Sequence, residues 1–201
     1  MFVQVIQGAV RDSAEARAAF DAWMTDLAPT ADGWLGSTGG VTPDGQLIAL
    51  ARFESEDAAR ANSDRHEQGA WWAATAQIFS EDATFTNSSN ATVDLSGDPN
   101  NAGFIQVIQG RTSDPKRALE LIGDDSIDWA TYRPDILGTL YLGHSDGAYT
   151  MAIYFSSEAE ARANETKDVP PELQAMMKEM DALEIGEPQY FDITEPWLYS
   201  P

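Results

Sequence analysis

The side chains of this sequence that could do chemistry are amides, indoles and two lone histidines. Gln4, Gln7, Gln106 and Gln109 interrupt apolar stretches expected to be buried strands, and a buried amide needs hydrogen-bond partners. These glutamines either bridge two parts of the chain or line pockets, and strand alternation sends Gln4 and Gln7 to opposite faces. His66 lies among Asp64, Arg65, Glu67 and Gln68, the company of a solvated turn, and His144 stands beside Asp146-Gly147, where it is expected to be exposed. There is no His-x-x-x-His pair, no Asp-x-Asp calcium loop and no glycine-rich phosphate loop, so neither a metal nor a nucleotide is expected. The lack of cysteine excludes disulfides, thiol nucleophiles and thiolate metal sites.

The elements that would have to position any site come in two copies. Phe2-Val3-Gln4-Val5-Ile6-Gln7-Gly8 returns as Phe104-Ile105-Gln106-Val107-Ile108-Gln109-Gly110, an offset of 102. The same offset carries Leu35-Gly36 to Leu137-Gly138, Asp44-Gly45 to Asp146-Gly147, and Ala59-Arg60-Ala61-Asn62 to Ala161-Arg162-Ala163-Asn164. From Phe2 to Asn62, 21 of 61 gap-free pairs are identical, a self-similarity that composition does not produce. The copies are therefore placed at 1–102 and 103–201.

Within each copy the pattern is strand, helix, strand, turn, strand, helix, strand. Ala16, Phe20, Trp23, Met24 and Leu27 recur at helical spacing over 13–27. Segments 34–39 and 46–53 are short strands around Pro43-Asp44-Gly45, a hairpin signal. Ser55 and Ser157 precede acidic, alanine-rich stretches and are expected N-caps. Fourth strands are expected at about 83–87 and 189–194, with the polar 88–101 as a loop or linker.

Apolar residues make up 43% of the chain, with six tryptophans, enough to fill a core. Thirty-three acidic residues against twelve basic ones give a net charge of −21, which repels nucleic acid and anionic lipid alike. The opening Met1-Phe2-Val3-Gln4 carries no basic n-region, and no apolar run approaches the ~20 residues that span a bilayer. A cytoplasmic protein with neither nucleic acid nor membrane as partner is expected.

A β-α-β-β-α-β unit of roughly 100 residues is the ferredoxin-like arrangement, with helices on one sheet face only. A second sheet from the tandem copy would cover the other face. The expected fold class is α+β: two tandem ferredoxin-like domains forming an intramolecular dimeric α+β barrel, a pseudo-dimer within one chain. Through the Phe2-to-Gln7 opening and the Arg52-Phe53-Glu54-Ser55-Glu56-Asp57-Ala58 junction, the sequence resembles the dimeric α+β barrel superfamily, especially tandem antibiotic-biosynthesis-monooxygenase-like domains.

The resemblance implies several things about function. Haem-degrading relatives hold iron porphyrin with an asparagine on the first strand and a tryptophan and a histidine on the second helix. Here Asn62 and Trp71 fall where that tryptophan and histidine would be, and His66 is out of register, so no cofactor is expected. Cofactor-free oxygenases of the superfamily need an apolar pocket with a group to steady an enolate or phenolate; Trp34, Arg52, Trp71 and Trp72 could furnish it. Alternatively, the two neighbouring tryptophans only pack helix on sheet while Arg52 pairs with a carboxylate. The expected ligand is a small apolar or aromatic molecule, and the more aromatic copy one is the place to look first. The rival expectation is a non-catalytic binding or assembly module with both pockets filled by core side chains.

Overall fold

The computed structural model describes residues 1–124 and 129–201. Among these residues ten strands form two five-stranded sheets: β1 (Phe2–Ala9), β2 (Trp34–Val41), β3 (Gln46–Phe53), β4 (Thr84–Ser88), β5 (Asn90–Leu95), β6 (Phe104–Arg111), β7 (Ile136–Gly143), β8 (Ala148–Phe155), β9 (Gln189–Ile193) and β10 (Trp197–Tyr199). Helices are α1 (Ser13–Asp26), α2 (Glu56–Ser63), α3 (His66–Thr75), α4 (Pro115–Ile122), α5 (Trp129–Tyr132), α6 (Glu158–Glu165) and α7 (Pro171–Leu183).

Sheet order is β10-β2-β3-β1-β4 in one sheet and β5-β7-β8-β6-β9 in the other. Four strands of each, β4-β1-β3-β2 and β9-β6-β8-β7, follow the ferredoxin-like order. The α+β class and the tandem ferredoxin-like repeat are thus as expected.

Repeat and compact unit divide the chain differently. The first unit is Met1–Ala91 with Asp192–Pro201, and the second is Thr92–Phe191. Two strands lie where none was expected. The polar stretch 88–101, expected to be a loop or linker, contains β5, the edge strand beside β7; the end of the chain forms β10 beside β2, with Trp197 opposite Gly39 and Tyr199 opposite Ser37. Periodicity misses β10 because three residues are too short to show a period, and misses β5 because its residues are mostly exposed.

Local chemistry explains most boundaries. Asp12 rather than Ser13 caps α1, its carboxylate accepting from the amides of Ala14 and Glu15. Ser55 and Ser157 cap α2 and α6 through the amides of Ala58 and Glu160. The two Asp-Gly hairpins differ. At Asp146-Gly147 both φ angles are positive (57° and 75°), as a type I′ turn requires, whereas on β2–β3 only Gly45 is left-handed (φ 87°). Pro43, whose ring fixes a negative φ, suits the first corner of a type I turn there.

In the first unit Phe2, Ile6, Leu47, Ala49 and Phe53 face the helices and pack on Ala16, Phe20, Trp23, Ala59 and Phe79. Alternation puts Val3, Val5, Ile48 and Leu50 on the other face, where they are also buried.

Candidate functional site

Each unit has a cavity between its sheet and its helices, at equivalent places in the two copies. In the first, Gln4 and Ile6 of β1, Ser37 of β2, Ala51 and Phe53 of β3 and Tyr199 of β10 form the floor, under Phe20, Trp23, Asn62, Gln68 and Trp71. In the second, Asp94 and Ser96 from β5 and the residues after it, Ile136 and Thr139 of β7, and Met151 and Ile153 of β8 lie opposite Ile122, Trp129, Arg133, Met176 and Met180. The offset of 102 relates Ser37 to Thr139, Ala51 to Ile153, and Phe20 to Ile122.

The aromatic-rich copy, the first place to look, has the smaller of the two cavities. The first cavity is about 50 Å³ and the second about 200 Å³. Copy one's aromatics fill space rather than enclose it: Phe20 meets Trp71 edge-on at 5.7 Å, Trp23 meets Trp34 at 5.2 Å, and Trp71 meets Trp72 at 5.9 Å. The shorter Ile122 stands where Phe20 does, and the unbranched thioethers of Met176 and Met180 complete the other wall.

Of the residues singled out from sequence, Asn62 and Trp71 line the first cavity and the other four do not. Asn62 is buried, its Oδ1 accepting from Arg65 at 2.9 Å. The Trp71 indole donates to the Ala19 carbonyl at 3.0 Å. Trp34 is buried behind Ser37, to which its indole donates at 3.0 Å. Trp72 packs against Phe79 and Phe85. Arg52 alternates with the lining residues Ala51 and Phe53, so its side chain leaves from the other sheet face, near the Gly36 carbonyl. His66 is exposed at the start of α3. Sequence reasoning overlooked Tyr199, Gln68 and Trp23, although Gln4 does line a pocket.

Tyr199 reaches the first cavity only because β10 joins β2. Its hydroxyl donates to Asp21 Oδ1 at 2.7 Å, and Asp21 also pairs with Arg17. Burial, and then the Asp21 hydrogen bond, push this phenol above its usual value of 10.0. Because the fold favours the neutral phenol, its stabilisation is complete below pH 10 and is lost as pH rises through the folded value. Urea unfolding should show Tyr199→Phe to be less stable than the parent by about 1 kcal/mol at neutral pH, with the difference shrinking in strong alkali. A pH-independent difference would rule out the linkage.

The second cavity is framed by ionic contacts. Arg117 on α4 binds Glu179 on α7 through Nε at 2.6 Å and Nη2 at 3.0 Å, joining the helices that carry Ile122, Met176 and Met180. That guanidinium holds the Glu179 carboxyl below its ordinary range. Arg133, at the cavity wall, is fixed by Asp135 through Nε at 3.0 Å and Nη2 at 2.7 Å, and its guanidinium lies 5.4 Å from the Phe155 ring centre. Asp135 is almost wholly buried (1% of its side chain exposed), and Nη1 stays outside the Asp135 contact. Next to the cavity floor, Tyr149 donates to Glu184 at 2.9 Å and stacks on Tyr141; burial pushes both phenols up.

Neither cavity is lined by a histidine, and among the described residues no group of three or more His, Asp or Glu could hold a metal ion. The run Gly143-His144-Ser145-Asp146-Gly147 has the spacing of a serine nucleophile elbow, yet it lies on the β7–β8 hairpin rather than between strand and helix, and Ser145 is exposed. Among the described residues no helix is long and apolar enough to cross a membrane.

Sheet order and cavity placement define an α+β protein built as a tandem ferredoxin-like repeat. Particular solved structures share it over nearly the whole chain. Two carry the name "putative monooxygenase": one from Lactobacillus acidophilus NCFM (TM-score 0.73, 9% identity, covering 98% of this chain and 98% of that one), and one from Fusobacterium nucleatum subsp. nucleatum ATCC 25586 (TM-score 0.77, 9% identity, 99% and 94%). A third is an anthrone oxidase-like protein (TM-score 0.69, 10% identity, 98% and 92%). At these identities the likeness is one of fold. No family model and no curated protein matches the sequence.

Proposed function

We propose that this is a cytoplasmic small-molecule protein that takes an apolar or aromatic compound into the cavity of its second unit, acting on it as a cofactor-independent monooxygenase-like enzyme. The observation that carries the reading is the cavity of about 200 Å³, walled by Ile136, Met151, Ile153, Met176 and Met180 with a fixed guanidinium at one side. An apolar cavity of ~150 Å³ holds benzene, so a one- or two-ring molecule is of suitable size. Arg133 would steady negative charge developing on a phenol or enol oxygen of such a molecule. The names of the structural neighbours support the oxygenase part, and the geometry supports the binding part. The open second cavity speaks against a module with both pockets filled.

Calorimetric titration with 1-naphthol tests the binding. Ile153→Trp should fill the cavity and weaken binding by at least about tenfold (~1.4 kcal/mol), while Ala51→Val at the equivalent position of the first unit should leave it unchanged. Equal binding by the parent and Ile153→Trp would sink the site. Dioxygen uptake in the presence of 1-naphthol tests the enzymatic part separately.

A further inference from the structure

The narrow cavity of the first unit has a chemistry of its own, independent of the reading given for the second. None of its lining residues carries a formal charge, yet five are polar: Gln4, Ser37, Asn62, Gln68 and Tyr199. Each is oriented by a partner that leaves part of its hydrogen-bonding capacity unused. Asn62 Oδ1 accepts from Arg65 at 2.9 Å, Gln68 Oε1 from the Trp23 indole at 2.7 Å, and Ser37 Oγ from the Trp34 indole at 3.0 Å. Gln4 Nε2 donates to Asn87 at 3.3 Å, and the Tyr199 hydroxyl donates to Asp21 at 2.7 Å. Because their oxygens are pinned by N–H donors, the amides of Asn62 and Gln68 have a defined orientation. Among the described residues no partner takes the amino groups of Asn62 and Gln68 or the hydroxyl hydrogen of Ser37. Gln4 Oε1 and the Tyr199 oxygen remain as acceptors. Asn62 is only 6% exposed.

We infer that this crevice is a binding site for a small, planar, neutral molecule with both a carbonyl acceptor and an N–H donor, of the primary-amide class. At about 50 Å³ it has room for about two to four heavy atoms, judged against the ~150 Å³ that holds benzene. A hydrocarbon would leave three oriented donors unmatched. An anion would enter without a counter-charge, in a protein of net charge −21. A planar amide instead turns its edge to the polar groups and its faces to Phe20, Trp23, Phe53 and Trp71.

Acetamide, acetone and acetate, titrated into the full-length ¹⁵N-labelled protein, provide the test. The indole N–H signals of Trp23 and Trp34 report on the site because their acceptors, Gln68 and Ser37, line it. Acetamide is expected to shift both signals saturably and to bind at least about tenfold more tightly than acetate. Asn62→Asp and Gln68→Glu retain the oxygens that accept from Arg65 and Trp23 and replace each NH₂ by an oxygen. Either should weaken acetamide binding at least about tenfold, with thermal melts confirming the fold of each variant. Linear, unsaturated shifts, leaving the crevice to water, would overturn the assignment. So would acetate binding as tightly as acetamide, or a folded Asn62→Asp variant that binds normally.

Discussion

Replacing Asp135 by alanine is expected to lower stability by about 3–5 kcal/mol, the cost of leaving a buried charge without its partner. The Asp135 side chain is 1% exposed and that of Arg133 14%, and the two share a bidentate contact. Removing the carboxylate strands a guanidinium beside an apolar cavity, where water solvates it poorly. Urea unfolding followed by circular dichroism measures the effect. The double variant Arg133→Met/Asp135→Leu should recover much of the loss, because an apolar pair of similar volume replaces a buried ion pair with little penalty. A loss below about 1 kcal/mol for Asp135→Ala would mean that the pair behaves as an exposed one. The first copy has no such pair, since Ala31 and Gly33 stand at the equivalent positions. Its cavity therefore has no fixed cation.

Trp197→Ala is expected to cost a similar amount, about 3–5 kcal/mol. Trp197 is 4% exposed, lies 5.5 Å from Phe20 between ring centres, and has the Arg17 guanidinium 5.8 Å from its own ring centre. Truncation after Glu195 should be more damaging. It removes the whole of β10, taking Tyr199 from the cavity and uncovering the edge of β2 at Ser37, Thr38 and Gly39. An uncovered edge pairs readily with other chains, so the truncated protein should also associate at concentrations where the full chain does not. Unfolding curves and light scattering read the two effects separately. A truncated protein as stable as the parent would show that the terminal strand contributes nothing to the first unit.

The repeat was legible because 21 identities at one fixed offset require only comparison of the chain with itself. The four main strands of each sheet were legible because β-rich runs with period-2 alternation, bounded by Asp-Gly turns and serine caps, are local signals. Asn62 and Trp71, singled out from the sequence, and Gln4, a polar residue needing an explanation there, line the first cavity. Arg52 lies off this cavity for a local reason, since its neighbours Ala51 and Phe53 occupy the cavity face and parity sends it away. Tyr199 was invisible for a non-local one. Its contact with Asp21 spans 178 residues, and no sequence pattern joins two positions that only the pairing of β10 with β2 brings together.

By itself the sequence determined the α+β class, the duplication, the lack of any thiol and the net charge of −21, because composition, period and self-similarity are carried by neighbouring residues. Only the tertiary structure decided which copy holds the roomier cavity. Aromatic content pointed to the first as the place to look, but a large ring can either wall a cavity or occupy it, and packing settles which. In the first unit Phe20 and Trp23 each meet Trp71 and narrow the space to about 50 Å³. In the second, isoleucine and methionine side chains leave about 200 Å³ beside Arg133.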